Sequence, residues 1–303
     1  MRIDCMQWLK GIVSFSIILF IILFLFVVVI FLALLRYLAP VPGWRRTLRD
    51  KLNDFPKLWT DLSTYCLSCL GLCQIDVQGD LDKLDKKRWY LMTSNHNCWT
   101  DIFLLHRVFN HRLPVLKFFM KQELKWVPFL GWGCWLIGYP FMKRYSKQTL
   151  QNKPHLKGKD FKTTQKMCER YKRSKPNTII SFAEGTRYTR EKANRQNTPY
   201  RYLLKPRAGG LGYTLTLMRD KIDDFVDVTI VYHGGVPTFW DFLCGRVNKV
   251  TMLVDLHHLG DELKGDYQND RAFRSAFQNW LNQLWEKKDQ KLAYYLDQAN
   301  AKS

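Results

Sequence analysis

The sequence predicts an α/β protein, a mixed sheet with flanking helices preceded by an N-terminal membrane helix. Three observations carry this. Residues 12–35 form one uncharged apolar run, IVSFSIILFIILFLFVVVIFLALL. From residue 88 onward, β-branched and aromatic runs alternate with amphipathic ones, the pattern of interleaved strands and helices. Hydrophobic residues make up 47% and aromatics 15% of the chain, enough for a packed core and too much for a disordered chain.

The apolar run comes first. As a helix, 24 residues span about 36 Å, enough for a hydrocarbon core of roughly 30 Å. It is too long for the apolar core of a signal peptide, about 7–15 residues, and no small-x-small cleavage site follows it. A single span or a deep interfacial anchor is the expectation. Two basic residues precede the run (Arg2, Lys10) and five follow it by residue 51 (Arg36, Arg45, Arg46, Arg49, Lys51). That bias puts the large C-terminal part in the cytoplasm. The cysteines Cys5, Cys66, Cys69, Cys98 and Cys134 sit in or beside apolar stretches, as reduced cysteines do, and point to the same compartment.

Three segments follow from this: an anchor at 1–43, an amphipathic helical connector at 44–75, and a cytoplasmic domain at 76–303. The connector carries apolar residues from Leu48 to Leu70, with Pro56 expected to bend or restart it. Its Cys66, Cys69 and Cys73 read as one helical face rather than a metal site, since no fourth ligand lies near. Within the domain, strands are expected at 89–94, 114–120, 178–183, 226–232 and 250–256, and an extended stretch at 135–142. Helices are expected at 99–109, 122–127, 160–171, 211–219 and 271–287. Residues 188–201 read as a loop, and the tail after about residue 290 is weakly specified.

Charge is concentrated. The chain carries a formal +20, and residues 143–207 hold 19 Lys/Arg against four acids. No nucleic-acid motif accompanies this block. In a chain tied to a membrane, anionic lipid headgroups are the more economical partner, at about 1 kcal/mol per basic residue near the surface.

Two motifs carry chemistry. The first is Asn95-His96-Asn97-Cys98-Trp99-Thr100-Asp101, closing a strand. Five positions apart in one helix, His96 and Asp101 would point about 140° apart. They meet only if His96 precedes the helix and Asp101 lies in its first turn, with Asn97 as a suitable N-cap. An aspartate on one imidazole nitrogen fixes the tautomer and leaves the other as a general base. The HxxxxD spacing alone is weak, because composition predicts about half a chance match and His155…Asp160 is a second copy. Only the first copy follows a strand.

The second motif, Phe182-Ala183-Glu184-Gly185-Thr186-Arg187, closes another strand. Glycine allows close backbone approach, threonine offers a hydroxyl and arginine a phosphate fork. Further cations stand near strand ends: Lys121, Lys143 and Arg144, and the pair Lys205 and Arg207.

NHxxxxD, then GxxFxxR (Gly138 to Arg144), then FxEGTR, in this order, resemble the motifs of the 1-acylglycerol-3-phosphate O-acyltransferases, the PlsC-like lysophosphatidic acid acyltransferases. The resemblance covers about residues 90–235 and extends to the N-terminal anchor. KQELKWVPFLGW, KPR and VDVTIVY are similar to the branch of bacterial YihG-type proteins and lysocardiolipin acyltransferases. Two departures stand out: Ala183 replaces a common proline, and Tyr232 stands near a proline missing from the fourth motif.

The resemblance implies a glycerolipid acyltransferase-like fold and transfer of a fatty acyl group from acyl-CoA or acyl-carrier protein, as co-substrate, to the free hydroxyl of lysophosphatidic acid or a related lysophospholipid. His96 and Asp101 would be catalytic. Arg144, Glu184, Gly185, Thr186 and Arg187 would bind the acceptor's glycerol phosphate, with Lys121 and Arg207 as further candidates. Neither a metal nor a resident cofactor is implied. A Cys98–His96 acyl-enzyme is the rival chemistry. A non-catalytic tether, binding anionic lipids through the 143–207 block, is the rival function.

Overall fold

The computed structural model describes residues 5–71, 73–142 and 159–301. Arg144, like Lys143 and His155, lies outside the described residues.

The uncharged run forms α1 (Cys5–Leu38), a helix long and apolar enough to cross a membrane. One stripe of it is buried, through Gly11, Ser14, Ile18, Ile21, Leu25 and Val29. Spacings of three and four keep those residues on one face. That face packs on α2 (Pro42–Cys69), where Leu52 and Phe55 complete the seam. Proline in the first turn starts α2, and the helix continues through Pro56, whose carbonyl accepts from the Thr60 hydroxyl at 2.8 Å. Cys73 lies beyond the end of α2, at φ 54°, so Cys66, Cys69 and Cys73 do not share a helical face.

Six strands form the main sheet: β1 (Gln74–Gly79), β2 (Trp89–Ser94), β3 (Val115–Phe118), β6 (Asn177–Ile180), β7 (Ile222–Tyr232) and β8 (Lys249–His258), in the order β1-β8-β7-β2-β6-β3. β7, β2, β6 and β3 are mutually parallel. β8 runs antiparallel to β7 and pairs in parallel with β1 at the edge. The sheet is therefore mixed. A two-stranded parallel ribbon, β4 (Met120–Lys121) with β5 (Phe141–Met142), lies outside it.

Residues on successive positions of a strand face opposite sides, and both sides are covered here. Tyr90, Met92, Val226, Val228 and Ile230 face α3 (Thr100–Phe109), with Leu67 of α2 and Ile18 of α1 in the same core. Leu91, Ile179, Phe225 and Val231 face α5 (Lys159–Lys172), α7 (Gly209–Met218) and α9 (Arg271–Ala301). All six residues of β2 are buried, as expected of a strand covered on both faces.

Three local expectations are corrected. Residues 130–136 form a helix, α4 (Leu130–Leu136), and only Phe141–Met142 is extended. Short apolar runs look alike as helix or strand, and here Gly131 admits a backbone approach that a Cβ, 2.1 Å from the Leu124 carbonyl, would block. The 188–201 stretch contains α6 (Arg190–Gln196), capped by Thr189, whose side chain accepts from the Lys192 N–H, and closed by Asn197 in the left-handed region. The tail is the second half of α9, held where buried Leu292 joins the core.

Candidate active site

Because β7, β2, β6 and β3 run the same way, their C-terminal ends share one edge of the sheet. That is where α/β sheets place ligands. The loop after β2 carries His96, the loop after β6 carries Glu184 to Arg187, and β7 ends at Tyr232.

His96 precedes α3 and Asp101 sits in its first turn. His96 Nδ1 donates to Asp101 Oδ2 at 2.9 Å. The carboxylate only accepts, so the proton lies on Nδ1 and Nε2 is left as the acceptor. The His96 side chain is 15% exposed and that of Asp101 is fully buried. The expected cap is corrected: Asn97 is not the N-cap, and Trp99 takes that position without a side-chain bond. Asp101 caps its own helix instead, accepting from the N–H groups of Asn97 at 2.6 Å and Cys98 at 3.0 Å. A carboxylate near a helix N-terminus also meets the positive end of the helix dipole.

The second oxygen of Asp101 is held from the sheet. Tyr232 donates its hydroxyl to Oδ1 at 2.6 Å, and the Cys98 thiol approaches the same oxygen at 3.6 Å. Five donors thus surround one buried carboxylate. Asn95 locks the strand below, exchanging two hydrogen bonds with the backbone of Ile230 at 2.8 and 2.9 Å. The Phe182 ring stacks on the imidazole, 4.0 Å between centroids and 12° from parallel.

The two motifs are tied together through backbone. The Tyr188 N–H donates to the His96 carbonyl at 2.7 Å. Glu184 accepts from the N–H of His96 at 3.3 Å and of Leu204 at 3.1 Å. Its side chain is buried, and burial lifts its carboxyl to about 8 against the pull of those two bonds. Glu184 is therefore placed behind the loops as a brace, rather than in the open where a phosphate could reach it. Gly185 turns the chain at φ 75°, a conformation that favours glycine. Thr186 accepts from Lys192 Nζ at 3.1 Å. Arg187 is exposed, with its guanidinium 5.4 Å from the Trp99 ring. Arg207 joins the same loop by its N–H, which donates to the Ala183 carbonyl at 2.8 Å, and its side chain is exposed. Lys121 is exposed on β4, three residues beyond Phe118, whose ring neighbours Phe182.

Tyr232, Phe182 and Lys192 are the residues that motif reading left without a role. Phe182 opens the second motif and Tyr232 stands near the fourth motif's missing proline, but neither position by itself shows a contact with His96 or Asp101. Lys192 is one basic residue among many, and only the α6 cap brings it round to Thr186.

Cys98 is buried beside Asp101. Burial first, and the neighbouring Asp101 second, push its thiol up to about 11. A thiol held protonated is a poor nucleophile.

The acyltransferase family model matches residues 74–233, more than half of the chain, and the protein belongs to that family. The curated relatives it matches include proteins named as 1-acyl-sn-glycerol-3-phosphate and lysocardiolipin acyltransferases. The mouse 1-acyl-sn-glycerol-3-phosphate acyltransferase epsilon is 24% identical over 246 residues, covering 74% of this chain and 62% of the relative. Lysocardiolipin acyltransferase 1 of Gallus gallus is 23% identical over 273 residues, covering 84% and 65%. The crystal structure of the 1-acyl-sn-glycerophosphate (LPA) acyltransferase PlsC from Thermotoga maritima aligns at 15% identity with a TM-score of 0.49, covering 92% of this chain and 97% of that one. The chain spans a little over 60% of the length of these two curated relatives.

Proposed function

We propose that the protein is a membrane-bound glycerolipid acyltransferase. It moves a fatty acyl group from an acyl thioester, acyl-CoA or acyl-carrier protein, to the free hydroxyl of lysophosphatidic acid or a related lysophospholipid. The observation that carries this is the His96–Asp101 pair, aligned at 2.9 Å at the C-terminal edge of the parallel strands, with the polar FAEGTR loop beside it.

In this reading, His96 Nε2 takes the proton from the acceptor hydroxyl as its oxygen attacks the thioester carbonyl. The tetrahedral intermediate collapses, the C–S bond breaks, and the imidazolium returns the proton to the leaving thiolate. Asp101 holds the tautomer and stabilises the imidazolium. Tyr232 and Glu184 act as positioning residues, one on the carboxylate and one on the His96 backbone. Gly185, Thr186 and Arg187 meet the acceptor's glycerol phosphate together with Arg144, and Lys121 and Arg207 supply further positive charge along the same edge. The protonated Cys98 thiol supports direct transfer over an acyl-enzyme.

Membrane attachment falls to α1. Its outer side exposes Phe15, Leu19, Phe20, Phe24, Val27 and Phe31, and its inner side is docked on the domain. Trp8 packs on Trp240 of α8 (Phe239–Leu243), and Phe26 on Phe129 and Trp132 beside and within α4. Exposed Trp126, Trp132 and Trp135 extend the lipid-facing surface, as interfacial aromatics do. The excess of Lys/Arg after α1 supports a cytoplasmic side for the catalytic domain.

The test is a panel of lysolipids, each offered with both thioester donors, to the wild type and to folded His96→Ala. Loss of a general base costs typically 10²–10⁴-fold, and that fall is expected here. A variant that acylates at the wild-type rate would overturn the assignment.

A further inference from the structure

The basic block contributes to a second site at the other edge of the sheet. Between the C-terminal end of α1, the start of α2 and α5 lies a cavity of about 380 Å³. Five cations line it: Arg36 from α1, Arg49 from α2, and Lys166, Arg170 and Arg173 from α5 and the turn after it. Among the described residues two acids line it as well, Asp50 and Glu169. Arg49 pairs with Asp50 at 3.4 Å. Among the described residues, Arg36, Lys166, Arg170 and Arg173 form no ion pair. Arg36 stands within electrostatic reach of Arg170 and Arg49, like charges facing one another across the cleft.

The site is built rather than incidental. The Arg170 guanidinium rests against Gly138, where a Cβ would come 2.5 Å from Nη2. Gly138 is at φ 84°, and its carbonyl accepts from the buried Tyr171 hydroxyl at 3.0 Å, fixing the floor. Asn53, also on the wall, donates to Asn177 at 3.3 Å. Asn177 opens β6, so the cavity lies at the start of the strand whose far end leads to Glu184. It is separate from the His96 edge.

We propose that this cavity is a second binding site, one that takes a phosphate-bearing anion. Guanidinium groups without carboxylate partners are the preferred phosphate forks. The volume falls in the range of small-ligand pockets, roughly 300–1,000 Å³. Arg36 ends the apolar face of α1, which sets the cavity at headgroup depth for a helix held in a bilayer. The phosphate can come from a lipid headgroup or from a soluble phosphate ester. This goes beyond the acyl-transfer reading and does not depend on it, since binding needs no turnover.

The experiment uses the full chain and flotation with vesicles of phosphatidylcholine alone or of four parts phosphatidylcholine to one part phosphatidate. The wild type is expected to prefer the anionic vesicles. Arg36→Gln/Arg170→Gln should lower affinity for them about thirtyfold, at roughly fivefold per charge, and leave binding to neutral vesicles unchanged. Lys162→Gln/Arg195→Gln removes the same charge outside the cavity and should cost at most about threefold. Equal losses in both pairs would overturn the proposal in favour of diffuse attraction. Arg173→Gln gives a milder second probe should the double variant melt early, and it should weaken the anionic preference about fivefold.

A second arm titrates inorganic pyrophosphate into the protein on neutral vesicles. Saturable binding that the double variant loses assigns a soluble source. No pyrophosphate binding, with the anionic preference intact, assigns the headgroup. Absence of both sinks the site. His96→Ala should behave as wild type throughout, which separates this result from the fate of the acyltransferase reading.

Discussion

The two edges of the sheet handle charge in opposite ways. At the C-terminal edge, the Asp101 carboxylate is fully buried and surrounded by donors from His96, Asn97, Cys98 and Tyr232. At the opposite edge, Arg36, Arg170 and Arg173 share a cavity with few acids. A satisfied buried group is held in one geometry, because leaving it unpaired is expensive. An unpaired surface charge costs little in water and is free to take a ligand, with an affinity that falls as salt rises. The first edge is therefore suited to positioning a proton, the second to capturing an anion.

The comparison can be broken most sharply at Tyr232. Tyr232→Phe removes the 2.6 Å bond to Asp101 Oδ1 and keeps the ring that packs in the core. A charge-assisted bond contributes about 1.5–3 kcal/mol, so kcat should fall about tenfold or more while the KM for the acceptor stays within twofold. A purely structural tyrosine would lower thermal stability and leave that split absent.

Two buried titratable groups sharpen the contrast. Glu184 stands behind the first edge, with its carboxyl lifted by burial to about 8. Lys117 of β3 stands behind the second, where its Nζ donates to the carbonyl of Ile137, a residue of the cavity wall, at 3.2 Å. Burial, with Arg170 adding to it, pushes Lys117 down to about 7. Between about 4.5 and 8 the folded chain binds more protons at Glu184 than the unfolded chain. Its contribution to stability is therefore full at low pH and is lost as pH rises through that window. Between about 7 and 10.5 the folded chain binds fewer protons at Lys117, so its contribution improves as pH rises. Melting temperature against pH should lose the first slope in Glu184→Gln and the second in Lys117→Met. Unchanged slopes would show that other groups set the pH dependence.

The smallest expected effect is at Cys98. Its thiol is held protonated beside Asp101, so Cys98→Ala should retain activity within about threefold. A loss of a hundredfold or more would revive the acyl-enzyme route.

β2 and α3 fall where patterning puts them, since a short run led by Trp89, Tyr90, Leu91 and Met92 and a longer apolar run from Ile102 to Phe109 leave little choice. The meeting of His96 and Asp101 was also legible, because a pair five apart can converge only across a helix start. Residues 135–136, read as extended, close α4, because a short apolar run satisfies both periods. The helix after Thr189 was missed because its cap is a single residue in a basic, polar stretch. Tyr232 was beyond reach for a different reason: it lies 131 positions from Asp101, and no local rule joins them.

By itself, the sequence determined the apolar anchor, the alternation of strands and helices, and the two motifs that close β2 and β6. These are properties of neighbours along the chain, set by periodicity, capping and side-chain chemistry. The strand order decided everything that depends on distant residues. It put β7 beside β2, so that Tyr232 reaches Asp101, and set β6 on the other side, so that Glu184 braces His96. Helix packing brought Arg36 of α1 and Arg170 of α5, far apart in sequence, to one cavity. The physical reason is that a side chain's partners are chosen by which backbones pack together, and that choice belongs to the whole fold.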